Sequence, residues 1–273
     1  MFHKLLMVLC LFFAVQSAFC AEHLRLAWTN NLLTISGPSL PGGKIDVWYL
    51  EAFCRSGSTH QEWGKTVLPH KTELLSREAD GRTLRLRTLV KPDVEMNHEI
   101  HAGTDEVSFT FQFKNHGKEK VDIDWFQPAC IRVDRFTGAV QSNYTAKAFI
   151  FTRSGLTRLQ ETRRTEEAIY RGGQVYVPKG VDLADVNPRP ISLDQPMNGL
   201  IGCFSQDNKF LLATASDQTH ELFEGVYVCL HSDPHVGGLA AGQSKVFHSK
   251  IYILPNDVDA LLKRYRDDFG AVR

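Results

Sequence analysis

The sequence has no excess of charge of either sign, and this limits the classes of partner. Its 273 residues include 31 lysines and arginines against 31 aspartates and glutamates, and 43% of the residues are hydrophobic. A protein that binds nucleic acid by neutralising phosphates normally has a basic excess, so we expect no nucleic-acid partner. Intrinsic disorder needs fewer apolar residues and more net charge, so we expect a folded chain.

Long hydrophobic runs and cofactor-binding motifs are also missing. Beyond the first residues no run approaches the roughly 18 apolar residues of a membrane-spanning helix, so we expect no transmembrane segment. The sequence contains no CxxC pair, no GxSxG turn, no P-loop and no GxGxxG that opens a helix. These absences argue against a zinc knuckle, a dithiol redox centre and a nucleotide site. We therefore predict that the protein has no bound cofactor; a bound divalent metal ion is the alternative.

Residues 1–20 are typical of an export signal. Lys4 supplies a positive charge, and Leu5–Val15 form an apolar stretch that is too short to span a bilayer. Small residues precede a cleavage point before Ala21. Cleavage in front of Cys20, followed by lipid attachment, is the alternative, although the residues before Cys20 fit a lipobox poorly. We therefore predict a secreted or periplasmic protein whose mature part is residues 21–273.

Alternation of polar and apolar residues predicts strands along most of the chain. Phe109, Phe111 and Phe113 alternate with polar residues, and Asp80-Gly81 is a hairpin signal. His98 falls on the apolar face of its strand, so we predict a buried histidine. The other predicted strands are Leu24–Trp28, Leu32–Ser36, Ile45–Leu50, Thr72–Glu78, Thr83–Val90, Val94–His101, Ala146–Thr152, Gln174–Val177, Leu200–Phe204, Phe210–Ala215, Val226–Leu230 and Lys245–Leu254.

A further hairpin is predicted around residues 115–118, which have the composition of a turn. Val121, Ile123 and Trp125 then resume the alternation. The pattern predicts that this segment pairs antiparallel with Val107–Phe113.

One segment near the end of the sequence has helical spacing. Residues 256–269 begin with a capping sequence and repeat apolar residues every three or four positions. Residues 170–198 show little periodicity, and we interpret them as a long loop of the kind that often carries function. The sequence predicts an all-β fold, an antiparallel β-sandwich or supersandwich, in a single domain over residues 21–273 with a C-terminal helix at 256–269.

Four cysteines remain after the predicted cleavage. Cys54, Cys130, Cys203 and Cys229 are far apart in the sequence, and each has apolar neighbours. In an oxidising compartment they allow three pairings, among which the sequence does not choose. Buried free thiols are an equal alternative.

A cluster of histidines and an aspartate lies near residue 233. His231, Asp233 and His235 occupy alternate positions, so on an extended chain they point to one side and could bind one divalent metal. A metal-free acid/base site with His231 as the catalytic residue is the second interpretation. A solvated polar loop is the third, because Pro234 and the following glycines are typical of turns.

A second cluster combines histidine, glutamate and tryptophan. His60, Glu62 and Trp63 lie in a stretch rich in glycine, serine and threonine, and His70 follows. An indole can stack on a sugar ring while a carboxylate and an imidazole bind hydroxyl groups. We therefore predict substrate binding by Glu62 and Trp63 and acid/base catalysis by His60 or His70; the alternative is a surface loop whose tryptophan folds back on the core.

Two arginines follow the tryptophan of residue 125. Arg132 and Asp134 are predicted to share one face of a strand, with Arg135 on the other face. A guanidinium group at a cleft could hold the carboxylate of a uronic acid in a bidentate contact, so Arg132 and Arg135 are predicted substrate-binding residues. The plain alternative is a surface ion pair between Arg132 and Asp134.

The order of the turns resembles a known group of proteins. The Asp80-Gly81 hairpin, the sequence Gly103-Thr104-Asp105-Glu106, the turn at Asn115 and the closing Gly238–Lys245 segment are similar to those of galactose-mutarotase-like β-supersandwiches. The resemblance covers about residues 70–130 and 225–254 and lies in turns, without a catalytic motif. It implies a supersandwich fold shared with aldose epimerases and polysaccharide-lyase domains.

Together these observations predict an exported protein whose partner is a carbohydrate, either an oligosaccharide or a polysaccharide. If it is an enzyme, we expect proton transfer on a sugar or uronic acid, as in a lyase, an epimerase or a glycosidase. A non-catalytic carbohydrate-binding or envelope module is the alternative. A metal-dependent hydrolase built on His231, Asp233 and His235 is the third hypothesis.

Overall fold

The structure is a computed structural model and describes residues 23–171 and 173–270. The predicted signal peptide and Cys20 lie outside the described residues. In chain order the strands are β1 (Arg25–Thr29), β2 (Leu32–Ser36), β3 (Lys44–Trp48), β4 (Ala52–Cys54), β5 (His70–Arg77), β6 (Thr83–Val90), β7 (Val94–Ala102), β8 (Glu106–Asn115), β9 (Trp125–Gln127), β10 (Cys130–Arg132), β11 (Ala148–Thr152), β12 (Gly155–Arg158), β13 (Gln174–Tyr176), β14 (Ile201–Phe204), β15 (Phe210–Ser216), β16 (Thr219–Glu224), β17 (Cys229–Pro234) and β18 (Ser244–Pro255).

Helical structure is sparse and mostly short. The α-helices are α1 (Trp63–Thr66), α2 (Asp134–Thr137), α3 (Glu166–Arg171) and α4 (Val258–Phe269). Single 3-10 turns lie at Ser58–His60, Tyr144–Ala146 and Leu159–Glu161. None of the helices in the described part of the chain is long and apolar enough to cross a membrane.

The strands form two large sheets and one small one. The seven-stranded sheet has the order β1-β2-β3-β10-β17-β16-β13, and the nine-stranded sheet has the order β12-β11-β14-β15-β18-β8-β7-β6-β5. Strands β4 and β9 form a separate pair. All strand pairs within these sheets are antiparallel. The predicted antiparallel β-sandwich with a C-terminal helix is confirmed.

The main core fills the space between the two large sheets. Alternate side chains of each strand point into it, as in β3, where Ile45 and Val47 are buried. They pack with Phe109 and Phe111 of the nine-stranded sheet. His98 also lies in this core, only 3% exposed, as its position on an apolar strand face predicted.

The helix α4 covers the outer face of the nine-stranded sheet. The side chain of Asp257 caps it by accepting a hydrogen bond of 2.9 Å from the backbone N–H of Ala260. Leu261 and Tyr265 are buried against Tyr252 of β18 and neighbouring apolar residues. The helical spacing of residues 256–269 thus reflects a real apolar stripe.

One predicted hairpin is wrong. Strand β8 bonds to β7 on one side and to β18 on the other, so neither of its edges is open to the segment that follows it. Val121 instead bridges to Leu239, and Trp125 begins β9, which pairs with β4. The alternation of residues 121–125 predicted an extended chain correctly but could not identify its partner.

Candidate functional site

The candidate site lies on the outer face of the seven-stranded sheet. In β17, Leu230 points into the main core, so the alternate residues Cys229, His231 and Asp233 point to the opposite face. The register sets Cys229 against Arg132 of β10 and His231 against Phe223 of β16. These side chains lie on the outer face, yet all six residues of β17 are buried, so this face must be covered by other parts of the chain.

Two long connections provide the cover and are joined to each other. The hydroxyl of Ser58 donates to the carbonyl of Val186 at 2.9 Å and accepts from Nε1 of Trp125 at 3.0 Å. The hydroxyl of Thr59 donates to the carbonyl of Leu183 at 2.7 Å. The loop of residues 55–67 and the loop of residues 177–192 therefore form one wall above the sheet.

A buried carboxylate fastens this wall to the sheet. The backbone N–H of Asn187 donates to Oε2 of Glu221 at 2.8 Å, and Glu221 is fully buried. Residues 170–198 were interpreted from the sequence as a functional loop, and this contact explains how the loop is held in place.

The covered face contains two adjoining cavities. The outer cavity, of about 490 Å³, is lined by Thr59, His60, Gln61, Glu62, Trp63, Pro188 and Arg189. The inner cavity, of about 220 Å³, is lined by Glu51, Trp63, Gln127, Cys130, Asn187, Arg189, Phe223, Gly225, Val226, Tyr227, Cys229 and His231. Because Trp63 and Arg189 line both, the two cavities form one groove.

The floor of the inner cavity is a compact group of ionisable side chains. Nε2 of His231 lies 3.6 Å from Sγ of Cys229 and 3.8 Å from Oε2 of Glu51. Nδ1 of the same ring lies 3.8 Å from Oδ1 of Asp233, whose other oxygen accepts from Nε2 of Gln127 at 2.9 Å. The imidazole is thus placed between a carboxylate behind it and a thiol and a second carboxylate in front.

Four polar atoms of this floor are buried without a hydrogen-bond partner among the described residues. They are Oε2 of Glu51, Oε1 of Glu221, Nδ1 of His231 and Oδ1 of Asp233. Buried polar groups are nearly always hydrogen-bonded, because an unpaired group loses the free energy of its hydration. Water, an ion or a ligand atom in this part of the molecule could pair with these groups, which makes the floor the candidate site.

The surroundings shift the pKa values of these groups. Burial raises the pKa of the Glu51 carboxyl, and the positive charges of His231 and Arg132 only partly oppose the rise. Burial and the neighbouring Asp233 raise the pKa of Glu221 well above its usual value. The Cys130 thiol donates a hydrogen bond to Cys229 and holds the pKa of Cys229 well below its usual value. Burial would lower the pKa of His231, but Asp233 and Cys229 raise it well above its usual value.

The structure brings together three of the residues predicted for sugar binding and catalysis near residue 60. His60, Glu62 and Trp63 line the outer cavity, and Trp63 is 41% exposed, so its ring does not fold back into the core. His231 lines the inner cavity. His70 lies elsewhere: its ring packs edge-on against Phe53, with ring centroids 5.1 Å apart.

The two predicted arginines have different positions. Cζ of Arg132 lies 5.3 Å from the ring centroid of Tyr227, and the guanidinium group donates a hydrogen bond of 3.1 Å to the backbone carbonyl of Tyr227. Arg132 therefore holds Tyr227, which lines the inner cavity. Arg135 belongs to α2. Burial would raise the pKa of Asp46, but hydrogen bonds from Lys44 and Thr34 lower it, with a smaller contribution from the charge of Arg135. The predicted sharing of a strand face by Arg132 and Asp134 is wrong, because β10 ends at Arg132 and Asp134 begins α2.

The predicted metal trio is divided between two clusters. Among the described residues, the sets of three side chains whose ligand atoms all lie within 4.8 Å of one another are Cys130, Cys229 and His231, and Asp124, His220 and His235. Nε2 of His235 lies 3.4 Å from Oδ1 of Asp124, and Asp233 belongs with His231. The interpretation of residues 231–235 as a solvated loop is wrong for residues 231–234, which belong to the buried strand β17.

Sequence reasoning missed Glu51, Cys130, Cys229, Gln127 and Arg189 as groove residues. They come from separate strands and loops, and no local pattern connects them. The only available signal was the apolar context of both cysteines, which indicated burial but gave no partner. All four described cysteines are buried and free.

A larger cavity, of about 710 Å³, lies beside α4 and is lined by loop residues with Tyr265 and Phe269. Its titratable side chains include Asp217, whose pKa is raised by burial. Nδ1 of His248 lies 3.1 Å from Oδ2 of this carboxylate, so the carboxylate already has a hydrogen-bond partner.

Known structures that match the chain include galactose-mutarotase-like proteins, the group that the turn order resembles. A galactose mutarotase-like protein from Clostridium acetobutylicum is 10% identical with a TM-score of 0.46, over 84% of this chain and 94% of that chain. A galactose 1-epimerase from Lactobacillus acidophilus is 9% identical with a TM-score of 0.40, over 86% of this chain and 98% of that chain.

A polysaccharide lyase also matches, at 8% identity and a TM-score of 0.43, over 89% of this chain and 34% of the lyase. No family model and no curated protein sequence matches the chain. Identities and TM-scores this low carry no information about activity, so the function has to be argued from the groove.

Proposed function

We propose that the protein binds a carbohydrate in the groove and catalyses proton transfer on it, with Glu51 as the acid/base residue. The observation that carries the proposal is the position of Glu51. Glu51 lines the inner cavity, which shares Trp63 and Arg189 with the outer cavity.

The junction has the chemistry of a sugar subsite. The half-exposed indole of Trp63 offers an apolar face to a sugar ring, and Arg189 offers a guanidinium group that can bind a carboxylate or hydroxyl group. His60 and Glu62 lie on the outer side of the same junction and can bind further hydroxyl groups. The proposed class of substrate is an oligosaccharide, either neutral or uronate-containing.

Glu51 is better placed than His231 to reach such a substrate. The side chain of Glu51 is 32% exposed, whereas that of His231 is 2% exposed and lies beneath it. The pKa of Glu51 is raised by burial, which brings a carboxylic acid closer to the range in which general acid/base catalysis is efficient. His60, His70 and His231 stay predictions from the sequence, and export of the protein is likewise proposed.

The proposal is tested with a panel of oligosaccharides, measuring binding and turnover separately. Glu51→Gln should abolish turnover and keep binding, because the amide has the same shape but cannot transfer the proton. Trp63→Ala should weaken binding about tenfold or more, from loss of stacking free energy. Trp48→Ala is the matched control, since Trp48 has the same 41% exposure on β3 and is not among the lining residues of either cavity.

Two results would contradict the assignment. Full turnover by Glu51→Gln would remove Glu51 from the chemistry. Binding that depends on Trp63, with no turnover of any neutral or uronate-containing oligosaccharide, would leave the non-catalytic binding module in its place.

A further inference from the structure

We infer that Cys130, Cys229 and His231 form a site for a zinc-type divalent metal ion on the floor of the inner cavity. The inference concerns the metal site itself; any part that the ion plays in turnover rests on the proposed function. Two thiols and one imidazole are the protein ligands of a known class of zinc sites that keep a fourth position open.

The distances between the ligand atoms fit such an ion. Sγ of Cys130, Sγ of Cys229 and a ring nitrogen of His231 lie within 4.8 Å of one another. When a tetrahedral ion is bonded to a sulfur at about 2.3 Å and to a nitrogen at about 2.1 Å, the sulfur and the nitrogen lie about 3.6 Å apart. Sγ of Cys229 and Nε2 of His231 lie 3.6 Å apart.

The second nitrogen of the imidazole has the partner that a metal-bound histidine needs. Nδ1 faces the fully buried Asp233 at 3.8 Å and has no hydrogen-bond partner among the described residues. Metal-bound histidines commonly donate this second N–H to a carboxylate, which leaves the other nitrogen free to bind the ion. Gln127 holds Asp233 through its second oxygen, so the carboxylate has a fixed direction.

Charge and access also favour the site. When both thiols lose their protons to the solvent, the two thiolates balance the two positive charges of the ion. The three ligand residues and Glu51 all line the inner cavity, so the fourth position faces the groove. A water or substrate oxygen bound there would have the unpaired Oε2 of Glu51 beside it.

The second cluster of ligand-type side chains supplies an internal control. Asp124, His220 and His235 also lie close together, but His235 is 46% exposed and the set has no thiol. A thiolate-bound ion can therefore be distinguished spectroscopically from an ion bound at this second cluster.

The test uses the protein in reduced form, without a histidine tag, titrated with Zn²⁺ or Co²⁺ alone. For the wild type we expect one tight site, release of protons on binding, and the intense thiolate-to-cobalt charge-transfer absorption. Cys130→Ser, Cys229→Ser and His231→Asn should each weaken binding more than about 100-fold, and Asp233→Asn about 10–100-fold. Cys203→Ser, Cys54→Ser and His235→Ala are matched controls and should keep the charge-transfer band.

Several outcomes would overturn the inference. They are the absence of a charge-transfer band in reduced, folded wild-type protein, binding that survives in Cys130→Ser or Cys229→Ser, and a band lost equally in Cys203→Ser. The wild-type spectrum requires no variant to fold. Sugar binding by the metal-free protein is measured separately, so failure of the metal site and failure of the proposed function can be distinguished.

Discussion

The Oη atom of Tyr49 lies 2.6 Å from Nδ1 of His98, in the core between the two large sheets. The other ring nitrogen of His98 lies 3.0 Å from the hydroxyl of Thr88. Tyr49 follows β3 in the seven-stranded sheet and His98 belongs to β7, so this contact connects the two layers. Both ring nitrogens are partnered by hydroxyl groups, and no carboxylate contacts the ring in the hydrogen bonds described.

The first prediction follows from the burial of this ring. Burial lowers the pKa of His98 to about 3 from an ordinary value of 6.5, so the unfolded state binds a proton that the folded state excludes. The stability that this histidine contributes is therefore full above pH 6.5 and is lost as the pH falls toward 3, by about 1.4 kcal/mol per pH unit. Urea unfolding between pH 7 and pH 4 measures the slope.

His98→Gln is the comparison for that slope. It removes the titrating group and keeps a side chain that can bond to Thr88, so the dependence of stability on pH should flatten over the same interval. An unchanged slope in this variant would assign the acid sensitivity to other groups.

The second prediction concerns the hydroxyl group of Tyr49. Tyr49→Phe leaves Nδ1 of His98 buried without its partner and should lower the free energy of unfolding by about 1–3 kcal/mol. Tyr227→Phe is the control, because Tyr227 is 69% exposed and should change stability little. Equal effects of both changes on chemical unfolding would argue against the buried hydrogen bond.

The third prediction concerns the ion pair between Arg164 and the buried Glu224, on the strand next to the edge of the seven-stranded sheet. Arg164 contacts Glu224 of β16, whose side chain is only 2% exposed, and the hydroxyl of Tyr176 donates to the same carboxylate at 3.3 Å. Arg164→Met leaves the carboxylate without its cation and should cost roughly 3–5 kcal/mol in stability.

Arg164→Met combined with Glu224→Gln completes the cycle. The double variant should recover much of the lost stability, because no unpaired charge is then left in the interior. Thermal unfolding of the wild type, the two single variants and the double variant is the measurement. A double variant as unstable as Arg164→Met alone would show that the lost stability comes from packing.

The fourth prediction concerns the attachment of α4. Leu261 is fully buried between the helix and the nine-stranded sheet, and Leu261→Ala should destabilise the protein by about 2–5 kcal/mol. Lys263→Ala is the control, because Lys263 lies on the exposed side of α4. The ion pair of Lys263 with Asp267 contributes at most about 0.5 kcal/mol to stability. Similar unfolding midpoints for the two variants would mean that α4 adds little to the core.

The sequence predicted the long strands well because each carries its own alternation. Strands such as β6 and β7 have eight or more residues, enough for the period of two to be visible. Strands of three residues are too short to show a clear period: β4 was not predicted and β10 was predicted only as part of a longer segment. The three-residue strand β13 is an exception, since Gln174–Val177 was predicted as a strand. Their position is decided by the sheets on either side.

The candidate site was only partly predictable for the same reason. His60 and Trp63 stand close together in the sequence, so their shared loop was visible. Cys130 and Cys229 meet because β10 and β17 are neighbours in one sheet, and Glu51 follows β3, the other neighbour of β10. Long-range pairing of this kind leaves no local trace in a single sequence, and the wrong hairpin after β8 has the same origin.

The strand β18 has a consequence for how the protein is made. Its first part pairs with β8 and its last part with β15, so it joins β5–β8 to the strands β11, β12, β14 and β15 of the nine-stranded sheet. During synthesis, the edge strands β8 and β15 of these two groups have no partner until residues 244–255 have emerged from the ribosome. Nascent chains halted before that point should therefore be the ones that depend most on chaperones.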